Sequence, residues 1–255
     1  MKAFPREFAD LLSTKGRRIL ERGYPEAERV FHGKETPIAV LTGMLDPRRV
    51  VQCRDLIDRT MRDRLRRINS PIPPEALTGM TKNYEEKLPK AMRMWTAYFA
   101  SRSSLSYRAA AEIGLLEMMR SESLAAFAEA VTGLTLERER GVQVIQYRPG
   151  DYVGPHNDHH PEDESSSRGF VDLHITFITG GVARQYLVCE EQGHLSRVYS
   201  AAVNGSVALY RLPFWHYVTP LEAKAGQEDE ARRWLLLGTF DIVQPAHSAS
   251  KEVAG

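Results

Sequence analysis

The spacing of hydrophobic positions along the chain changes near Gly141. Before it, apolar residues recur every three or four positions, which is typical of helices that bury one face. After it, short runs of β-branched and aromatic residues are separated by glycine, proline or acidic turns, which is typical of strands. The predicted strands are 141–147, 171–178, 183–189, 194–199, 206–211, 215–220 and 233–240. Because no helical pattern lies between them, we expect a β-sandwich or jelly roll.

The first part of the chain contains clear helix boundaries. Asp46 followed by Pro47 predicts a helix start, with Asp as the N-cap and Pro at the first helical position. A second helical pattern runs over 106–130, with Ser121 as a cap within it and Gly133 just after it as a stop. Residues 37–45 are predicted to be a strand, or a strand that leads into a turn.

Two further segments each have two interpretations. Residues 69–90 are rich in helix and strand breakers and form either a lid or a simple connection. Residues 91–101 are apolar and either line a substrate pocket or pack in the core. The pocket candidates there are Met92, Met94, Trp95 and Tyr98. We favour core packing for this segment.

Charge is unevenly distributed although the net charge is only +1. Residues 1–140 carry 25 Lys and Arg against 19 Asp and Glu, whereas residues 141–255 carry 9 against 14. Eight arginines lie between Arg48 and Arg67, but Asp55, Asp58 and Asp63 are interleaved with them. This mixture favours a solvated helix face with i,i+4 ion pairs over a nucleic-acid surface.

The composition is that of an ordinary globular protein, with 42% hydrophobic and 26% charged residues. No apolar run is long enough to cross a bilayer, and the first residues lack the apolar core of a signal peptide. Cys53 and Cys189 are too few for a disulfide framework. We therefore expect a cytoplasmic protein that does not contact a membrane.

The strongest chemical signal is the pair His156 and Asp158, together with the distant His216. Residues two apart on an extended strand point to the same face. Two imidazoles and one carboxylate can bind one side of an octahedral metal and leave three positions open. That arrangement is the facial triad of non-haem Fe(II) oxygenases.

Other histidines offer weaker alternatives. His160 with Asp163 is a competing ligand pair, but it falls in an acidic, serine-rich stretch that we predict to be a loop. His159 directly precedes it, and His194 follows Gly193 in a predicted hairpin turn. We find no nucleophile signature and no glycine-rich phosphate loop after a strand.

Four segments, in this order, resemble the 2-oxoglutarate and Fe(II)-dependent oxygenases, and in particular their prolyl-hydroxylase-like branch. They are the helix that ends at 124–134, the stretch from Tyr147 through Pro149-Gly150-Asp151 to His156 and Asp158, the run 216–220, and the strand 233–240. The resemblance implies a double-stranded β-helix, also called a jelly roll, within an α+β protein. It implies a largely helical N-terminal region at 1–110, an oxygenase core at 111–243 and a flexible tail at 244–255.

The resemblance also implies roles for individual residues. Arg233 occupies the position at which the family binds the distal carboxylate of 2-oxoglutarate, and strand alternation favours it over Arg232. Tyr147 matches a position whose hydroxyl lies near the cosubstrate, and the alternative is a tyrosine that packs on the sheet. Thr176 and His174, which share a strand face, either add polar contacts in the barrel or have a core or supporting role. The acidic stretch 222–230 makes the gap before Arg233 longer than the family pattern.

The implied activity is hydroxylation of an unactivated C–H bond, with Fe(II), 2-oxoglutarate and O2 as cofactor and cosubstrates and ascorbate as a further candidate. The oxidation would release succinate and CO2. We favour a small-molecule substrate, such as an amino acid or natural-product intermediate, and rank a protein side chain second and a nucleobase third. Desaturation or ring formation are alternative reactions. The competing hypotheses are a jelly-roll binding or scaffold protein without turnover, and a cupin-like protein that uses another metal.

Overall fold

The structure, a computed structural model, describes residues 3–33, 35–72, 90–138, 141–158 and 169–243. Several predictions lie outside these residues: most of the proposed lid at 69–90, the competing pair His160 and Asp163, and the tail at 244–255. No helix in the described ranges is long and apolar enough to span a membrane.

The helices of the described chain all precede residue 133, apart from one short 3-10 turn at Glu228–Glu230. A 3-10 helix at Phe8–Leu11 comes first. The α-helices are α1 (Thr14–Arg22), α2 (Ala27–Phe31), α3 (Pro47–Met61), α4 (Leu105–Glu112), α5 (Leu115–Met119) and α6 (Glu122–Thr132).

The predicted helix caps are confirmed. Asp46 accepts hydrogen bonds from the backbone N–H groups of Arg48 and Arg49 at 2.9 and 3.0 Å, and Pro47 opens α3. Ser121 caps α6, which ends at Gly133 with a φ of 70°. The pattern at 106–130 is three helices: Ser121, the predicted cap, separates α5 from α6, and Gly114, with a φ of 72°, separates α4 from α5.

The strands come in two groups along the chain. Three lie in the first part: β1 (Ile38–Leu41), β2 (Arg66–Pro71) and β3 (Ala91–Tyr98). The others are β4 (Gly141–Tyr147), β5 (Tyr152–His156), β6 (Phe170–Ile178), β7 (Val182–Arg184), β8 (Tyr186–Glu191), β9 (His194–Ser200), β10 (Val207–Leu212), β11 (His216–Val218), β12 (Glu222–Ala223) and β13 (Arg233–Asp241). The seven strands predicted after Gly141 are therefore present, although the run 183–189 is divided between β7 and β8.

The main sheet is antiparallel, and its neighbouring strands follow the order β1-β10-β6-β13-β4-β3-β5-β11-β8-β9, with β2 paired to β3. Residues of β3, β4, β5, β6, β8, β10, β11 and β13 all line one cavity, so the sheet curls into a nearly closed barrel. This arrangement is consistent with the predicted jelly roll. Residues 1–110, which we expected to be largely helical, also contribute β1, β2 and β3 to the barrel.

The two faces of the sheet have different partners. On β13, Trp234, Leu236 and Phe240 point outward and join the large core that packs beneath the helices. Leu235 belongs to a smaller cluster on the inner face. This alternation matches the one predicted from the sequence. Cys53 and Cys189 are buried and free, so neither forms a disulfide.

Candidate metal centre and cosubstrate pocket

Two neighbouring strands bring the candidate metal ligands together. His156 is the last residue of β5, and His216, the first residue of β11, lies directly opposite it in the antiparallel register. Asp158 lies beyond the end of β5 and adopts a φ of 56°. Strand alternation therefore does not position Asp158, contrary to our expectation. A left-handed backbone, which aspartate tolerates better than most residues, turns its side chain back toward the histidines.

The three side chains converge on one point. One ligand atom from each lies within 4.8 Å of the other two. The distances are 3.2 Å from His156 Nε2 to Asp158 Oδ1 and 3.3 Å from His216 Nε2 to Asp158 Oδ2. The imidazole rings of His156 and His216 lie 4.3 Å apart between centroids. Such a set of two nitrogens and a carboxylate could hold a divalent metal.

Backbone carbonyls fix both histidine tautomers. Nδ1 of His156 donates to the carbonyl of Gly154 at 2.8 Å, and Nδ1 of His216 donates to the carbonyl of Phe214 at 2.9 Å. Because a carbonyl only accepts, each Nδ1 carries a proton and each Nε2 is left to face Asp158. This is the outer-shell support that metal-binding histidines usually have.

The electrostatics of the cluster favour a cation. Burial acts to lower the pKa of His156, but the Asp158 carboxylate outweighs it and holds that pKa above its ordinary value. Burial acts to raise the pKa of Asp158, but His156 and His216 outweigh it and hold that pKa well below its usual range. The buried carboxylate thus requires positive charge beside it, and a divalent ion can take the place of the proton on His156.

Arg233 lies in the same cavity as the three ligands. It is only 4% exposed, and its Nη1 donates to Oε1 of Gln185 at 3.1 Å. Its Cζ lies 5.2 Å from the centroid of the Tyr147 ring, and Tyr147 is its register partner on β4. Its Nε has no hydrogen-bond partner, and no carboxylate in the described part of the chain pairs with it. A buried guanidinium without a counterion is suited to an anionic ligand.

Gln185 is a residue that sequence reasoning missed. It is fully buried between β7 and β8, and its Nε2 donates to the carbonyl of Thr219 at 2.9 Å. Its Oε1 is thereby oriented toward Arg233. A single glutamine in a strand-rich stretch carries no sequence signal for this role.

The remaining candidates occupy the inner face of β6. His174 lines the cavity, and so does Asp172, two residues earlier on the same face. Alternation from His174 could have identified Asp172 from the sequence. Thr176 is buried and lies opposite Leu235 of β13, but it is not among the residues that line the cavity.

The cavity has a volume of about 160 Å³ and an apolar wall formed by β3. Met92, Met94 and Tyr98 are part of that wall, whereas Trp95 packs against the large core. The segment 91–101 therefore contributes to both the pocket and the core. His194 is exposed at the start of β9, as expected from the hairpin turn.

Comparison with known proteins gives no relative by sequence: no protein-family model matches the chain, and no curated protein matches it. Solved structures do resemble it. A 2OG-Fe(II) oxygenase family oxidoreductase from Burkholderia pseudomallei has a TM-score of 0.53 at 12% identity, over 94% of this chain and 93% of that one. A prolyl 4-hydroxylase structure from Phytophthora capsici has a TM-score of 0.53 at 11% identity, over 95% of this chain and 68% of that one. The chain thus has the fold of the 2OG-Fe(II) oxygenase family, which confirms the resemblance seen in its sequence motifs.

Proposed function

We propose that the protein is an Fe(II)- and 2-oxoglutarate-dependent oxygenase that hydroxylates an unactivated C–H bond of a small molecule, such as an amino acid or natural-product intermediate. One observation carries this proposal: two imidazoles and a carboxylate converge in a cavity that also contains a buried guanidinium without a carboxylate partner. A scaffold protein that binds neither a metal nor an anion has no need for both features, because each is costly to bury without its ligand.

In this proposal, His156, Asp158 and His216 would hold Fe(II). The side-chain set fits that ion, because imidazole and carboxylate ligands suit iron and three ligands leave positions open. Bound Fe(II) and 2-oxoglutarate would supply the oxidising chemistry, in which decarboxylation to succinate and CO2 activates O2 for attack on the substrate.

The chain's own residues would bind and orient the cosubstrate. Arg233 would form a two-pronged ion pair with the distal carboxylate of 2-oxoglutarate, since its Nε is free and Gln185 orients Nη1. The hydroxyl of Tyr147 would donate a further hydrogen bond. Burial raises the pKa of Tyr147 to about 12, so this group keeps its proton at neutral pH.

The small cavity favours a small substrate or an extended side chain. Its volume of about 160 Å³ lies below that of the pockets that hold drug-sized ligands, which is roughly 300–1,000 Å³. Met92, Met94 and Leu187 would exclude water from the reacting end.

The test is anaerobic addition of Fe(II) and 2-oxoglutarate to the purified protein. We expect a weak visible charge-transfer band and, once oxygen is admitted, slow formation of succinate without added substrate. A metabolite screen scored by substrate-dependent succinate release would then identify the substrate. Absence of both the band and succinate would contradict the proposal and favour a non-catalytic jelly-roll protein.

A further inference from the structure

The cavity has a second charged group, Asp172, whose backbone position is far from that of Arg233. In the β6–β13 register, Arg233 lies opposite Ile178, whereas Asp172 lies opposite Thr239. Ile178 and Asp172 are six residues apart on β6, which corresponds to roughly 20 Å along the strand. The two side chains nevertheless line one cavity. The backbone positions that carry the cation and the carboxylate therefore lie at opposite ends of the β6–β13 pairing.

Asp172 has no cationic partner to balance it. The residue is 8% exposed, and its Oδ1 accepts a hydrogen bond from Thr239 Oγ1 at 2.6 Å. His174 Nε2 lies 3.9 Å from Oδ2, which is too long for a hydrogen bond. No lysine or arginine in the described ranges forms an ion pair with it. A buried carboxylate in this position is stabilised by a positively charged group on a ligand.

His174 offers a second polar contact beside Asp172. Its Nε2 is buried and has no hydrogen-bond partner, although the ring lines the cavity. Burial lowers the pKa of His174 below its ordinary value, so a neutral imidazole adds no charge to cancel that of Asp172. A neutral ring nitrogen can accept a hydrogen bond from a ligand N–H group.

This polar pair lies close to the candidate metal ligands. The His174 ring packs edge-on against Tyr210 at 4.4 Å, and the Tyr210 ring lies 5.9 Å from the ring of His216. A group bound to Asp172 and His174 would therefore sit against an aromatic wall near the metal, and Tyr210 can also attract a cation through its ring face.

We propose that the substrate of this oxygenase is a protonated primary or secondary amine, whose ammonium group binds Asp172 and His174. This inference depends on the proposed function. An ammonium group supplies a charged donor to the Asp172 carboxylate, whose Oδ1 accepts only from the neutral Thr239 hydroxyl, and a second donor to His174 Nε2, which has no partner. Asp172 and Arg233 would then hold the substrate and 2-oxoglutarate at different ends of one cavity.

The experiment compares amines with their N-acetyl counterparts, which keep the carbon skeleton but lose the charge. Binding is measured by anaerobic calorimetry on the Fe(II) and 2-oxoglutarate complex, and turnover by succinate release. We expect amines to be preferred over their N-acetyl forms by at least about tenfold in both measurements. Wild-type protein that binds both forms equally well would overturn the proposal.

Variants of Asp172 test whether this residue causes the preference for amines over their N-acetyl forms. Asp172→Asn removes the charge but keeps an oxygen that can accept from Thr239, so it should weaken amine binding about tenfold to a hundredfold and abolish the preference. Asp172→Glu keeps the charge and should retain the preference for amines. If the asparagine variant fails to fold, a preference retained in Asp172→Glu supports the proposal, and a preference for the neutral forms in that variant contradicts it. Glu191→Gln, an exposed carboxylate on β8, alters the net charge equally and should leave the preference unchanged. An amine preference that persists in Asp172→Asn would overturn the proposal.

These experiments distinguish failure of the amine-substrate inference from failure of the proposed oxygenase function. A protein that forms succinate without substrate but prefers neutral compounds would be an oxygenase with a different substrate class. A protein that binds amines through Asp172 but forms no succinate would retain the amine site and lose the proposed reaction.

Discussion

Arg232 and Arg233 are neighbours in the chain, but their guanidinium groups lie on opposite sides of the sheet. Nε of Arg232 forms an ion pair with Oδ1 of Asp58 on α3 at 2.7 Å, on the helix side. Arg233 points into the barrel and donates to the neutral side chain of Gln185. The first arginine therefore has its counterion within the protein, and the second is free to bind one from outside.

Replacement of Arg233 by lysine should weaken 2-oxoglutarate binding by at least about tenfold, because lysine keeps the charge but loses the two-pronged geometry. Anaerobic calorimetry with Fe(II) present measures this directly. The matched control is Arg232→Lys, which changes the adjacent arginine outside the cavity and should leave the affinity within about twofold. If only Arg232→Lys lost affinity, Arg232 and not Arg233 would bind the distal carboxylate of 2-oxoglutarate.

Replacement of Tyr147 by phenylalanine should weaken 2-oxoglutarate binding by roughly five- to tenfold, the effect of losing one hydrogen bond. The phenyl ring would still pack beside Arg233, so folding should be little affected. Titration of 2-oxoglutarate in the succinate assay gives the change in KM. An unchanged KM would mean that the Tyr147 hydroxyl does not contact the cosubstrate.

Loss of one candidate ligand should remove tight metal binding. We expect His156→Ala and Asp158→Ala each to weaken Co(II) or Fe(II) binding by at least about a hundredfold, more than the loss of an outer-shell partner. The visible spectrum of the Co(II)-loaded protein is the measurement. His194→Ala removes an exposed imidazole from β9 and should bind the metal as the wild type does. Full affinity in His156→Ala would show that the ligand set is wrong.

Asp58 should make stability depend on pH in the acid range. Burial acts to raise its pKa, but hydrogen bonds from Arg62, Trp234 and Arg232 outweigh burial and hold the pKa below its ordinary value. The folded state therefore favours the carboxylate. The stability this provides is fully present above the unfolded pKa of about 3.9 and is lost as pH falls through the folded pKa.

Asp58→Asn should therefore lower the free energy of unfolding at pH 7 by about 2–4 kcal/mol, since it leaves buried arginine contacts without their counterion. The difference from the wild type should shrink as the pH falls below about 4. Urea unfolding at several pH values tests both points. Asp55→Asn, on the same helix but with a side chain that is 52% exposed, should change stability by less than about 0.5 kcal/mol. A difference that stays constant with pH would contradict the electrostatic explanation.

Local features of the fold were predictable where a short pattern determines an element. The Asp46 cap and the start of α3 follow from two adjacent residues, and β4 has the predicted boundaries because alternation and a glycine delimit it. The break between α4 and α5 was missed, since a single glycine, Gly114, is its only signal, whereas the cap Ser121 marked the start of α6. The strand β3 was missed because an apolar run does not distinguish a strand from a buried helix.

The candidate site shows the same division. Sequence motifs singled out His156, Asp158, His216 and Arg233, and the structure brings all four to one cavity. Thr176, selected by the same alternation as His174, does not line it. Gln185 acquires its role only through partners that are distant in the chain, so no local pattern could have identified it, whereas alternation from His174 could have identified Asp172.

The sequence by itself determined which segments alternate, where helices begin and which side chains have the chemistry to hold a metal, because these properties depend on near neighbours. Only the tertiary structure decided that Asp158 turns back beyond the end of β5, that Asp58 engages Arg232 and leaves Arg233 to the cavity, and that Asp172 lines the same cavity. Those relationships depend on strand register and on helix packing against the sheet, in which residues far apart in the chain become neighbours through the burial of a shared core.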